Sequence, residues 1–235
     1  MFLAGLPNEL LLILAKHLGP FDLNNLIRAG KGLRDILTPL LYNYAVQDCD
    51  GMSALCWASR HGHEPLVRFL LDKGFEVNTA ALDSEARDST TTALICAAER
   101  GHQGVVRFLL SKGAHDVSGA LIVAVYRGNM AVCRILLENG ANADCWGQAT
   151  NDTSSKPALH WAVRRPYPNE TMIELLLENG ADIDIMDGSG ITPLDVAWSM
   201  HLNYIVKLLL ENGAKNSVYI NLGDIHNGHS LWQIF

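Results

Sequence analysis

From residue 53 to residue 213 two kinds of apolar run alternate along the chain. The shorter kind opens on a small or capping residue: SALCWAS from Ser53, TALICAA from Thr92, GALIVAV from Gly119, PALHWAV from Pro157 and TPLDVAW from Thr192. A longer Leu-rich run follows each, with apolar residues at helical spacing, as in Val67, Leu70 and Leu71 or Ile205, Leu208 and Leu209. That spacing lines one face of an amphipathic helix. The runs stop at Gly74, Gly113, Gly140, Gly180 and Gly213, which lie 21, 21, 21, 23 and 21 residues from their starts. Glycine enters left-handed backbone at no steric cost, so these positions read as helix C-caps. At the other end, Thr192 supplies a capping hydroxyl and Pro193 a φ preset for the first helical turn. The pattern predicts five helical hairpins, and their starts are 39, 27, 38 and 35 residues apart. Length therefore varies between the units and hardly within them.

Residues 1–48 follow another pattern. Between Leu6 and Leu18, the side chains of Leu6, Pro7, Leu10, Leu11, Ile13, Leu14, Ala15 and Leu18 span an arc of roughly 200° on a helical wheel. An apolar arc that wide covers its own domain with one face and the repeats or a partner chain with another. Asp22 with the following LNNLIRA reads as a capped second helix, and Gly32 to Tyr42 as a third that is interrupted at Pro39. At the far end, Val218, Ile220, Leu222, Leu231, Trp232, Ile234 and Phe235 are expected to cover the exposed end of the last hairpin.

The five hairpins resemble ankyrin repeats. The residues that carry the resemblance are Thr192-Pro193-Leu194, Leu159-His160, Gly62-His63, Gly101-His102, Gly140-Ala141-Asn142 and Gly180-Ala181-Asp182, and the first two intervals together make two ankyrin periods of about 33 residues. The repeats fall at 50–78, 91–117, 118–144, 156–184 and 187–216, between a helical segment at 1–48 and a tail at 217–235. Three departures stand out: Pro157 in the threonine place, Gly119 at the start of the third unit, and Pro166 to Glu170 in place of the fourth Gly-His turn. The resemblance implies an all-α helical solenoid with short hairpin fingers and one extended concave binding face.

It also implies where a target protein would touch. The family's variable helix-end positions are here Arg60, His61, Glu99, Arg100, Tyr126, Arg127, Arg164, Arg165, Ser199 and Met200. Five are arginines, which make bidentate contacts to carboxylates and stack on rings, so an acidic or aromatic-bearing segment is one expectation. The other is that exposed helix ends are charged for solubility alone. Trp57 and Trp161 stand where the family places a large apolar residue, so core packing is expected of them and ligand contact is a secondary role. The polar inserts Thr79–Thr91 and Cys145–Lys156 either reach a ligand or are loop growth, which costs little.

The stretch LPNELLLILAKHLGPFDLNNLIRAGKGLRDIL resembles an F-box, a short helical motif that docks a Skp-type adaptor of a cullin-RING ubiquitin ligase. Its landmarks are Leu6-Pro7, Glu9-Leu10, Ile13, Leu18, Asp22-Leu23, Leu26 and Leu33-Arg34. Gly32-Leu33-Arg34-Asp35 stands where such motifs often carry a tryptophan. The resemblance implies that Leu6, Pro7, Leu10, Ile13, Leu14, Leu18 and Leu23 hold the adaptor, making the chain a substrate receptor that acts by proximity. On the alternative, the N-terminal helices only seal the stack and the chain is a stand-alone ankyrin scaffold or inhibitor.

Composition narrows the partners. A net charge of -7 and a pI near 5.7 give no positive field to gather phosphates, so no nucleic acid is expected. Leu10 to Ala15 is an unbroken apolar run, yet Glu9 and Lys16 bound it far short of a membrane span. The five cysteines show no CxxC spacing, which fits a reducing compartment, cytoplasmic or nuclear. His63, His102 and His160 fall at repeat-signature positions, and Cys56, Cys96 and Cys133 on helices expected to be buried. Asp224, His226 and His229 are isolated tail residues, which seldom bind a metal. HExxH, GxSxG and phosphate-loop motifs are absent. The expectation is a non-enzyme without cofactor or metal, monomeric when unbound, whose partners are proteins.

Overall fold

The computed structural model of the chain describes residues 13, 15, 17–18, 20–29, 33–47, 54–82, 90–149, 154–166 and 168–215. They form two compact units, residues 1–120 and 121–235. In the first, α1 (Pro20–Ala29) and α2 (Arg34–Gln47) precede the hairpins α3 (Ala54–Arg60) with α4 (Glu64–Asp72) and α5 (Ala93–Arg100) with α6 (Gln103–Ser111). Strands β1 (Ala81–Leu82) and β2 (Thr90–Thr91) pair antiparallel, Ala81 opposite Thr91. Helix α7 (Val117–Arg127) runs across the division. The second unit continues with α8 (Met130–Glu138), β3 (Trp146–Gly147), β4 (Lys156–Pro157), α9 (Ala158–Arg164), α10 (Glu170–Glu178), α11 (Pro193–Ser199) and α12 (Asn203–Glu211), and pairs Trp146 with Pro157. The fold is the expected all-α repeat architecture. Among the described residues no helix is long and apolar enough to cross a membrane.

Each unit has its core between stacked hairpins. In the first unit α3 lies along α5, α2 packs on α3 and α4, and α1 packs on α2 and α4. Leu55, Cys56 and Ala58 of α3 and Leu94, Cys96, Ala97 and Ala98 of α5 are buried; the alanines let the helix backbones come close, and the leucines fill the space beside them. Full burial of a leucine such as Leu66, Leu70 or Leu109 contributes about 2 kcal/mol. In the second unit α9 packs on α10 and α11, and α11 on α12.

The run-ending glycines Gly74, Gly113, Gly140, Gly180 and Gly213 have φ between 86° and 93°, as the C-cap reading requires. A second glycine turn links the helices within a hairpin. Gly62 has φ 69°, and a Cβ there would sit 2.6 Å from Nδ1 of His102, so both backbone and space demand glycine. The equivalent place in the last hairpin holds His201, at φ 56°, whose N–H still closes the turn onto the Trp198 carbonyl at 3.0 Å.

Three local expectations are corrected. Pro39 does not interrupt α2: the helix continues to Gln47, because Pro39 is exposed while Leu37 and Leu41 on the same helix are buried at 1% and 0%. Water can satisfy the carbonyl that the proline frees, and the buried leucines outweigh the kink. Asp22 does not stand ahead of the second helix as its cap; Pro20 opens α1 and Asp22 sits in its first turn, where a carboxylate favours the helix dipole. The third unit starts at Val117, ahead of Gly119, because the Asp116 carboxylate accepts the Gly119 N–H at 3.3 Å and adds a capped turn. In the fourth turn Arg165 is extended, and Asn169 caps α10 by accepting the Thr171 N–H at 3.0 Å.

Candidate protein-binding surface

In the first unit, α3 and α5 end on Arg60 and Arg100. Arg60 and Glu99 lie 3.8 Å apart, with side chains 13% and 18% exposed. The Arg60 carbonyl is 3.0 Å from Nε2 of His102. His61 is exposed and turns Nδ1 onto the Trp57 carbonyl at 2.9 Å. Trp57 is buried between His61 and His63, ring centroids 4.4 and 5.1 Å away. His63 is 2% exposed, and neither ring nitrogen has a hydrogen-bond partner among the described residues. Burial, helped by the charges of His61 and His102, holds its pKa down at about 4, so the ring packs as a neutral group. His102 is lowered too, by burial against the opposing pull of the Arg60 carbonyl.

Behind this row, Cys56 donates to the Thr91 carbonyl at 3.9 Å and the Thr91 hydroxyl lies 3.6 Å from Cys96 Sγ. The Cys56 thiol, then Thr91 and Arg60, outweigh burial and hold Cys96 at about 7. In the second unit, Cys133 and Cys145 are pushed up to about 12 by burial.

The second unit builds its own row. Arg165 Nε donates to the Tyr126 carbonyl at 3.0 Å, and Tyr126 meets Trp161 edge-on with centroids 5.6 Å apart. Trp161 is buried, and its Nε1–H donates to the Gly147 carbonyl at 2.8 Å. The finger beside β3 is thereby tied to α9. The next finger is tied as well: Lys156 Nζ donates to Asp187 Oδ2 at 3.0 Å, and His160 Nε2 lies 2.8 Å from the Ile191 carbonyl. Burial alone would raise Asp187, but bonds from Lys156 and from the Ser189 and Ile191 N–H groups hold its carboxyl below the usual range. Arg127, Arg164, Ser199 and Met200 are exposed; Tyr126 and Arg165 are half-buried.

A family model described as ankyrin repeats in three copies matches residues 26–119 and 121–220. The chain belongs to the ankyrin repeat family. No curated protein was found to match it. Ankyrin repeats are protein–protein interaction modules and generally non-enzymatic, so proteins are the partners to look for. The inner helices of the repeats are α3, α5, α7, α9 and α11, and the helix-end residues predicted from the sequence fall at or just after their C-termini. Arg60, Glu99, His61 and Arg100 belong to the first unit; Tyr126, Arg127, Arg164, Arg165, Ser199 and Met200 belong to the second. Trp57 and Trp161 are 3% and 2% exposed and act as packing residues within their repeats.

Of the residues expected to hold an adaptor, Leu6, Pro7, Leu10 and Leu14 lie outside the described residues, as do 83–89 and 150–153 of the inserts and the tail from 216. Ile13 is 55% exposed, Leu18 half-buried and Leu23 fully buried. The sequence reading missed a set of exposed finger residues, Trp146, Met186 and Ile191. Register could have found two of them: Trp146 and Met186 each stand six residues past the glycine of an ENGA motif. Among the described residues no three His, Cys, Asp or Glu side chains gather as a metal site.

Proposed function

We propose that the chain is a substrate receptor, with its N-terminal helices engaging a Skp-type adaptor of a ubiquitin ligase while the ankyrin helix ends hold a target protein. On this reading residues 1–48 are the adaptor-binding head, 50–216 the target-binding repeats and 217–235 a cap, and the protein works in the reducing cytoplasm or nucleus. The adaptor half is supported by the landmarks Leu6-Pro7, Glu9-Leu10 and Asp22-Leu23 and, above all, by Ile13. That side chain is 55% exposed while Ala15, two residues on, is 2% exposed. A large apolar side chain left exposed beside a buried neighbour is available to a partner, which supports the adaptor reading. Buried Leu23 contributes by shaping the helix rather than by contact.

A second reading has an observation of its own. Helices α1 and α2 pack on α3 and α4, and the family match begins at residue 26, inside α1. Both facts favour N-terminal helices that continue the stack and seal it. Immobilised Skp-type adaptor, offered the intact chain and Ile13→Asp, separates the two. The receptor reading expects the intact chain to bind and the variant, with an unchanged circular dichroism spectrum, to be lost from the pull-down. An intact chain that does not bind leaves the sealed ankyrin scaffold.

A further inference from the structure

Cys56 and Cys96 stand on neighbouring repeats, in α3 and α5, and both are fully buried. Ala58, Ala97 and Ala98, equally buried, let these two helices lie close. The two thiols meet around one residue. Cys56 Sγ is 3.9 Å from the Thr91 carbonyl oxygen, Cys96 Sγ is 3.6 Å from the Thr91 hydroxyl, and the Cys56 thiol also hydrogen-bonds Cys96. A single buried cysteine is ordinarily an inert small hydrophobe. Two in contact across a repeat boundary differ, because sulfurs that share a hydrogen bond need approach by only about 2 Å to reach the disulfide length. Rotation of the side chains about their Cα–Cβ bonds covers that distance.

The pair is also set apart chemically from the other buried thiols. With Cys56, Thr91 and Arg60 beside it, Cys96 is held at about 7, so at neutral pH much of it is thiolate, the nucleophilic form. Cys133 and Cys145 of the second unit, pushed up to about 12 by burial, stay protonated. The segment bonded to both Cys56 and Cys96 is β2, two residues long and paired with the equally short β1. Pairings of that length open at the low end of a protein's range of local stabilities, and a water-sized oxidant reaches the sulfurs in such openings.

We infer that Cys56 and Cys96 form a reversible redox modification site, at which a peroxide converts the two thiols to a disulfide that staples the first repeat to the second. The Cys96 thiolate attacks one peroxide oxygen; the O–O bond breaks, Cys96 becomes a sulfenic acid, and the departing hydroxide takes up the proton that Cys96 shed. Cys56 then attacks the Cys96 sulfur; the S–S bond forms, the S–O bond breaks, and hydroxide leaves with the Cys56 proton. Two thiols and one peroxide give one disulfide and two waters, the sulfurs losing the two electrons that the peroxide gains. In a reducing compartment such a bond is transient and reports oxidant. The cysteines are 40 residues apart, so the bond closes a loop that includes the first finger and restricts the unfolded chain. It also ties the helix ending on Arg60 to the helix carrying Glu99. The inference goes beyond the proposed function and depends on neither the adaptor nor the target.

The test treats the full, folded chain with hydrogen peroxide, removes the oxidant, then unfolds and alkylates the chain and maps its cysteines by mass spectrometry. Cys56 and Cys96 are expected to leave the alkylated pool together, at least about tenfold faster than Cys133 and Cys145, and to appear as one cross-linked peptide. The urea midpoint of the oxidised chain should rise, and dithiothreitol should return it to the starting value. Cys56→Ser, or Cys56→Ala where serine weakens the fold, should abolish both the cross-link and the rise. Four results overturn the inference: Cys56 and Cys96 alkylated as fully after peroxide as before it, Cys96 linked instead to Cys49 or to a second chain, a cross-link that forms only when denaturant accompanies the peroxide, or a cross-linked chain whose midpoint does not rise.

Discussion

His63 shows how a single buried side chain sets a condition on the fold. Its ordinary pKa of 6.5 falls to about 4 in the folded chain, so the unfolded chain takes up a proton that the folded one refuses. A depressed histidine gives stability that is whole above pH 6.5 and is lost as the pH falls toward 4. The loss from this residue approaches about 3 kcal/mol at the bottom of that window, and His102 and His160, both lowered by burial, act in the same direction. Urea titrations at pH 7 and pH 4.5 are expected to show it, with His63→Leu nearly neutral at the higher pH and less acid-sensitive. The sequence revealed His63, His102 and His160 as repeat positions. It could not show that His102 would meet the Arg60 carbonyl, 42 residues away, while neither ring nitrogen of His63 would meet a hydrogen-bond partner among the described residues. Sequence spacing encodes a place in the repeat, and partners across repeats follow only from stacking.

At the scale of the element, most helix ends follow local chemistry. The Thr192 cap of α11 was legible from Thr192-Pro193; the structure adds the reciprocal half of a capping box, with Thr192 and Asp195 exchanging backbone bonds at 3.2 and 2.9 Å. The early start of α7 was not legible, because the pattern aligned on Gly119 hid the cap at Asp116. Pro39 misled for the reverse reason: a local rule was overruled by burial of Leu37 and Leu41. Thr192→Ala should cost about 1 kcal/mol in chemical denaturation. Gly140→Ala, at φ 86° with nothing within 4 Å of a new Cβ, should cost about 1 kcal/mol from backbone strain alone. Gly62→Ala should cost more, since it adds a clash with His102. His201 is the inverse case: His201→Gly relieves a left-handed histidine and should gain up to about 1 kcal/mol, read as a higher midpoint.

For the molecule as a whole, the regular hairpins and the net acidic charge were visible from the start, and repeat counting located them to within a turn. Contacts that join one repeat to the next were invisible: Lys156 and Asp187 are 31 residues apart, and nothing local marks either as buried. Breaking that pair by Lys156→Met leaves a carboxylate 3% exposed with only the Ser189 and Ile191 N–H groups, at 2.8 and 3.1 Å, and should cost about 3 kcal/mol. In a solenoid such damage spreads to neighbouring repeats. Hydrogen exchange should therefore rise around residues 145–199 while 54–72 and 93–111 keep their protection; a uniform rise would count against nearest-neighbour energetics. The strand pairs at the feet of the two inserts have a consequence for how such a chain changes over time. Ala81 against Thr91 and Trp146 against Pro157 already hold the insert ends together, so whatever lies between them is free to lengthen or be exchanged at the small entropic charge of a longer loop, about 0.6 kcal/mol per doubling. Each insert is a socket in which a foreign segment could be grafted without the stack having to adapt.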